Sequence, residues 1–324
     1  MQTQPPGPRQ AGGRGIRLGV LTFAVLLVTI VAASFLGYGP FGRDRMTPSE
    51  AVGHYLGAVA EADAQAAIGW LAEPPADRTL LTDAVLRESR ARAPITAIRM
   101  FAVSETQVQA SYLIGTQQAM ALFDTVRQAN GTYRVDRGTT TLELSLPRKL
   151  PVRVNGSLIS RPALEAFPGS YELTTGLPHV RYAEPEFTVS GPGAEPRLVP
   201  TAELSIPGQQ AFLRAARAQL DECIEQKSLN PPECPQQVAL QDDQRVDSAS
   251  IEWFPLDDPF VGAQPRLSVT DPALAEQRLE VRMRLSARMT DGGQPGVVNS
   301  DLTFATTATG LVTEDPMTVT FVND

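Results

Sequence analysis

Few side chains in this 324-residue chain can do acid–base, redox or metal chemistry near neutral pH: two histidines, His54 and His179, and two cysteines, Cys223 and Cys234. The cysteines stand close together and read as a disulfide. Closing a loop of about a dozen residues is worth on the order of 3 kcal/mol in the chain-entropy account. A structural zinc needs four ligands, and both histidines lie far from the cysteines without paired spacing, so no metal site is expected. His54 sits between Ala51 and Ala58, turned away from the apolar stripe Val52, Leu56 and Val59. It reads as a rim histidine; the functional alternative is that it lines a cavity. His179 alternates with Val180 and Tyr182 and is expected to face solvent. No serine nucleophile elbow, His-Glu-x-x-His helix, phosphate-binding glycine loop or dinucleotide fingerprint occurs, so no catalytic or cofactor-binding residue is assigned.

Other polar clusters have plain explanations. Asp242-Asp243 and Asp257-Asp258 are adjacent carboxylates, and neighbours in extended chain point opposite ways, which denies them a shared proton or metal. Asn130-Gly131-Thr132 and Asn155-Gly156-Ser157 fit the glycosylation pattern but read as Asn-Gly turns. Trp70 and Trp253, each among apolar neighbours, are expected in cores.

Charge and hydropathy bound the setting. The chain is 42% hydrophobic, ordinary for globular protein, with net charge −8. Arg9, Arg14 and Arg17 stand in an N-terminal stretch without acids, so the remainder carries 25 basic and 36 acidic groups, net −11. That balance argues against nucleic acid and against adhesion to anionic lipid. Leu18 to Leu36 is an uncharged apolar run without a counterpart later in the sequence. Its roughly 28 Å of helix matches the hydrocarbon core of a bilayer. The arginines before it predict a cytoplasmic N-terminus and a single crossing, leaving the rest of the chain outside the cell. The competing reading is a cleavable signal peptide, with Val31-Ala32-Ala33 or Ala32-Ala33-Ser34 at the cut. The apolar run continues through Phe35 and Leu36, which favours a retained anchor.

The elements follow from caps and periodicity. Thr47, Pro48 and Glu50 write a helix start, Val52, Leu56 and Val59 its stripe. Asp63 caps a second short helix carrying Ala67, Ile68 and Leu71, and a third pattern runs over Asp83–Ala93. Strands are expected at Ile98–Ser104, Gln107–Leu113, Ala119–Arg127 and Thr132–Asp136, the last two joined at Asn130-Gly131. This α+β unit, on the capped helix Thr47–Glu61, the break at Ala62–Ala67 and the Asn130-Gly131 hairpin, resembles nuclear transport factor 2-like domains over residues 46–138. That resemblance implies helices packed across a curved sheet, with a cavity in which some members of the class place His, Asp and Tyr.

A second β-rich stretch spans Thr140–Leu204. Val152–Gly156 gives a strand and tight turn, and Phe167-Pro168-Gly169-Ser170-Tyr171 a turn followed by a buried tyrosine. Together they resemble small β modules of bacterial envelope proteins, including the membrane-anchored group linked with teicoplanin resistance, which implies an envelope role and no reaction. A helix over Gln209–Gln226 carries Phe212, Ala216, Leu220, Cys223 and Ile224 on one face, ended by Pro231-Pro232. Its terminal cysteine and the following Cys234-Pro235 resemble exported proteins of high-GC Gram-positive bacteria, an origin in keeping with only two lysines, Lys149 and Lys227. Asp242–Asp247 reads as a polar linker, with strands at Ser250–Phe254, Glu280–Ser286, Asp301–Thr306 and Thr318–Val322.

The expected organisation is α+β throughout: residues 1–16 a cytoplasmic tail, 17–37 a transmembrane helix, 38–46 a linker, 47–138 the cone-like domain, 139–206 a β module, 207–236 a helix with a disulfide loop, and 237–324 a C-terminal β-rich module. The expected function is a cell-membrane-anchored, extracytoplasmic binding or scaffolding protein. Its partners would be the bilayer, through residues 17–37, and an envelope protein or cell-wall component, with no cofactor and no nucleic acid. The alternatives are a small-molecule-binding or weakly enzymatic cavity at 47–138, discriminated by a carboxylate beside His54, and a structural spacer.

Overall fold

The structure, a computed structural model, describes residues 46–194 and 196–323. The apolar run Leu18–Leu36 lies outside the described residues, and no helix among those described is long and apolar enough to cross a membrane. The described chain is mixed α+β, mostly strand, with four α-helices.

Three helices open it: α1 (Pro48–Ala60), α2 (Ala64–Gly69) and α3 (Asp83–Arg92). Asp63 caps α2 by accepting from the Ala66 N–H at 2.8 Å, and Thr82 caps α3 by accepting from Val85 N–H. Asp83 accepts in turn from Ala64 N–H, tying the start of α3 to that of α2. An antiparallel meander follows, β1 (Ile95–Ala102), β2 (Gln107–Ile114), β3 (Gln117–Arg127) and β4 (Tyr133–Val135), hydrogen-bonded in sequence order. Strict alternation along β3 buries Ala119, Ala121, Phe123 and Thr125 and exposes Met120, Leu122 and Val126. α1 packs across the buried face, with α2 and α3 beside it, and Val52, Tyr55, Leu56, Tyr112 and Phe123 there are within 1% of full burial. The loop Gln128–Thr132 closes with Gln128 N–H on Thr132 O, and Asn130 Oδ1 accepts from the Thr132 N–H and hydroxyl.

A second core gathers β5 (Thr140–Leu144), β6 (Val152–Val154), β7 (Ser157–Ile159), β8 (Ala163–Ala166), β9 (Gly169–Thr174), β10 (Val180–Tyr182), β11 (Glu186–Val189), β12 (Arg197–Leu198) and β13 (Ala202–Leu204). They form small sheets of order β11-β9-β6-β7, β12-β5-β8 and β10-β13. Leu80 and Val85, the latter on α3, complete this core. Asn155 and Gly156, at φ 43° and 81°, make the two-residue turn between β6 and β7. Pro168-Gly169 leads into β9 as expected, and Tyr171 is buried with its hydroxyl donating back to Phe167 O at 2.7 Å.

The third core lies between α4 (Ile206–Glu225) and a sheet of β14 (Gln244–Val246), β15 (Glu252–Pro255), β16 (Arg266–Leu267), β17 (Leu274–Asp291), β18 (Gln294–Leu311) and β19 (Val319–Asn323). α4 begins three residues earlier than periodicity predicts, because Ser205 caps it by accepting from Gly208 N–H. Gly208 crosses His179 so closely that a Cβ there would stand 2.3 Å from the His179 carbonyl oxygen. The sheet departs from the sequence expectation in two places. β17 and β18 form one long hairpin in unbroken register from Leu274↔Leu311 to Asp291↔Gln294, turned at Gly292-Gly293, where separate short strands are expected. The expected linker Asp242–Asp247 contains an edge strand, since β14 pairs with the tip of β17 and Asp247 binds Arg288 at 2.7 Å.

Candidate functional site

His54 is exposed on α1 and stacks face to face on the half-buried Trp70 ring, with centroids 4.8 Å apart and planes 9° from parallel. No ion pair joins it to a carboxylate among the described residues. Beneath it the space between helices and sheet is filled by side chains. Tyr55 packs against Phe123 and Phe167 at ring distances of 5.9 and 6.2 Å, and its hydroxyl donates to Gly138 O. Gly138 must be glycine, because a Cβ there would lie 2.6 Å from Leu71 and 2.7 Å from the Tyr55 ring. Burial pushes the phenols of Tyr55 and Tyr112 far above their ordinary range, and the Tyr112 hydroxyl donates to Ser190 O. These tyrosines therefore stay neutral at all physiological pH and act as hydrogen-bond struts.

His179 overturns its sequence expectation: it is 6% exposed. Alternation correctly puts Val180 and Tyr182 inside, but the crossing of α4 over its backbone closes the other side as well. Neither imidazole nitrogen makes a hydrogen bond among the described residues; Nε2 lies 3.7 Å from Asp315 Oδ1.

Cys223 and Cys234 form a disulfide, with Cα atoms 5.6 Å apart. It ties the last turn of α4 to a loop that edges the C-terminal sheet. Glu233 O accepts from Phe321 N–H and Cys234 O from the Asn323 amide, both on β19, while Ser228 O accepts from the Trp253 indole at 3.0 Å. The fully buried Gln236 donates to Cys223 O at 2.6 Å. Trp253 is 4% exposed, a core residue as expected, whereas Trp70 is only half-buried.

Neither pair of adjacent carboxylates stands in extended chain: Asp242-Asp243 lie in a turn, and Asp257-Asp258 follow the end of β15 and bind different arginines. Asp257 pairs with Arg282 at 3.1 Å and Asp258 with Arg217 at 2.7 Å, which holds Asp258 below the usual carboxylate range. No cluster suited to a metal ion occurs among the described residues. One open groove of about 480 Å³ is bordered by the charged side chains of Arg266, Glu276 and Arg278. Asn155 is 6% exposed, its side chain consumed by three backbone partners, so this glycosylation-pattern asparagine is a structural bolt.

No protein-family model, curated protein or solved structure matches this chain.

Proposed function

We propose that this chain is a single-pass, membrane-anchored protein of a bacterial cell envelope, whose outward-facing domains bind another envelope component and catalyse nothing. The observation that carries the reading is the Cys223–Cys234 disulfide, which organises the loop edging the C-terminal sheet. Such bonds form and persist in oxidising, extracytoplasmic surroundings. The arginine-flanked apolar run Leu18–Leu36 supplies the anchor and orientation, and the acidic balance of the remainder directs the choice of partner away from nucleic acid. A helix packed across an antiparallel meander, with two shorter helices beside it, agrees with the likeness of residues 46–138 to nuclear transport factor 2-like domains. The packed interior and the stacking of His54 on Trp70 favour binding over cavity chemistry. The Pro-Gly-x-Tyr turn agrees with an envelope β module.

Crosslinking in intact cells followed by copurification identifies the partner class: an envelope protein or cell-wall fragment recovered with the chain is the expected result. His54→Ala is expected to leave complementation of a deletion strain intact under envelope stress, since an exposed stacked imidazole contributes little without a partner charge. Loss of complementation at normal protein abundance would overturn the non-enzymatic reading and return attention to the first domain.

A further inference from the structure

The C-terminal sheet has an edge that nothing among the described residues covers. β19 pairs with β18 only from Thr306 to Gly310, and no other strand pairs with the far side of β18 from Gln294 to Ala305. The two-residue turn Gly292-Gly293 makes Asp291 and Gln294 a hydrogen-bonded pair, and unbroken register then fixes the rest. Val297, Asn299, Asp301, Thr303 and Ala305 turn their backbone N–H and C=O away from β17, into the open. The bonds from Asp247 N–H to Arg288 O and from Leu256 N–H to Arg282 O, on the opposite flank of β17, have the parity this assignment requires.

Natural proteins blunt open edges with lysine, bulges or a covering element. Here β19 is covered by the disulfide loop, through Phe321 N–H on Glu233 O. From Val297 to Ala305 the strand has no lysine, no proline and no bulge, and its one charge, Asp301, is held by the Arg284 fork at 2.6 and 3.0 Å. On the side toward α4, Val298, Leu302 and Phe304 remain half-exposed where the sheet stops.

We propose that this edge joins two copies of the chain, β18 against β18, antiparallel about a two-fold axis at Ser300. The strand is self-complementary in that register. Val298 faces Leu302, and Phe304 faces Gly296, an aromatic-over-glycine pair that shields exposed backbone. On the outer surface Asn299 faces Asp301 and Val297 faces Thr303. The outward-turned residues meet outward-turned residues, as an antiparallel ladder needs. Moving the axis to Asp301 would set the two Asp301 carboxylates directly opposite, and moving it to Asn299 would set Val297 against Asp301, both poorer matches. The result is a continuous sheet across an isologous interface.

The test is the mass of the full chain in mild detergent by light scattering, with variants. The native chain is expected at twice the mass of one copy. Thr303→Pro removes an outward N–H at an edge, where proline is tolerated, and is expected to be monomeric, with a melting temperature that, unlike the native chain's, does not rise with protein concentration. Ser300→Cys lies on the two-fold and is expected to form a disulfide-linked dimer under mild oxidant, whereas Leu302→Cys, facing Val298, is expected not to. The cysteine pair of variants reads the register even if Thr303→Pro does not fold. A native monomer at every soluble concentration overturns the proposal, as it would if the edge instead took a strand from another protein. A dimer that Ser300→Cys does not trap, or that Leu302→Cys traps equally, overturns it too.

Discussion

Replacing Asn155 by alanine is expected to destabilise the protein by about 4 kcal/mol, measured by denaturant unfolding of the full chain. The side-chain amide donates to Val85 O and Ser170 O, both at 3.2 Å, and its carbonyl accepts from Glu172 N–H at 2.8 Å. One buried side chain thus fastens α3 to β9 while standing in the turn between β6 and β7. Alanine would strand the Glu172 N–H and the Ser170 carbonyl, each worth about 1–3 kcal/mol when unsatisfied, and would remove a second donor from the helical Val85 carbonyl. It would also occupy a φ of 43°, where asparagine is tolerated and alanine is strained. Asn155→Asp keeps the acceptor and the turn, but sets a buried carboxylate against the Val85 and Ser170 carbonyls, and so should cost at least as much as alanine near neutral pH. A loss under about 1 kcal/mol for alanine would contradict this role.

Cys223→Ser is the second large effect, expected to approach the ~3 kcal/mol of loop closure and to lower the melting temperature correspondingly. Without the bond, the loop that supplies Glu233 O to Phe321 and Cys234 O to Asn323 is anchored mainly by Gln236 and its own turns. The loss should therefore appear first as faster amide exchange at Phe321, on β19. The native protein should show no free thiol without reductant. Two titratable thiols in protein taken from the envelope, or a variant as stable as the native chain, would remove the disulfide from the account.

What was legible in the sequence is local. The cap at Asp63, the helical pattern from Asp83, the stripe of α4, the Pro-Gly turn before Tyr171 and the cysteine pair all depend on near neighbours in the chain, and each stands where its chemistry puts it. The failures are long-range. His179 obeys the alternation of its strand, yet Gly208 brings α4 onto its backbone and buries it, a contact that no period of two encodes. Asn155 is readable as a turn residue, but its three partners lie on two other elements. The long β17–β18 hairpin carries a local signal, Asp291-Gly292-Gly293 between alternating runs, with Leu279, Val281, Met283 and Leu285 buried opposite exposed arginines. Polar threonines along β18 masked the second run, because only its half-exposed face carries Val298, Leu302 and Phe304. Of the candidate site residues, the cysteines were found by type and spacing. His54 was placed on its helix, but its stacking on Trp70 required knowing how α2 turns back beside α1.

The proposed envelope role requires everything after the apolar run to work outside the cytoplasm, and one measurement reads that directly. A phosphatase reporter that is active only after export should be active when fused after Ala60 and inactive when fused after Arg14, as the arginines at positions 9, 14 and 17 direct. The reverse pattern, an inactive fusion at Ala60, would contradict the orientation, the oxidising compartment of the disulfide and the envelope role together.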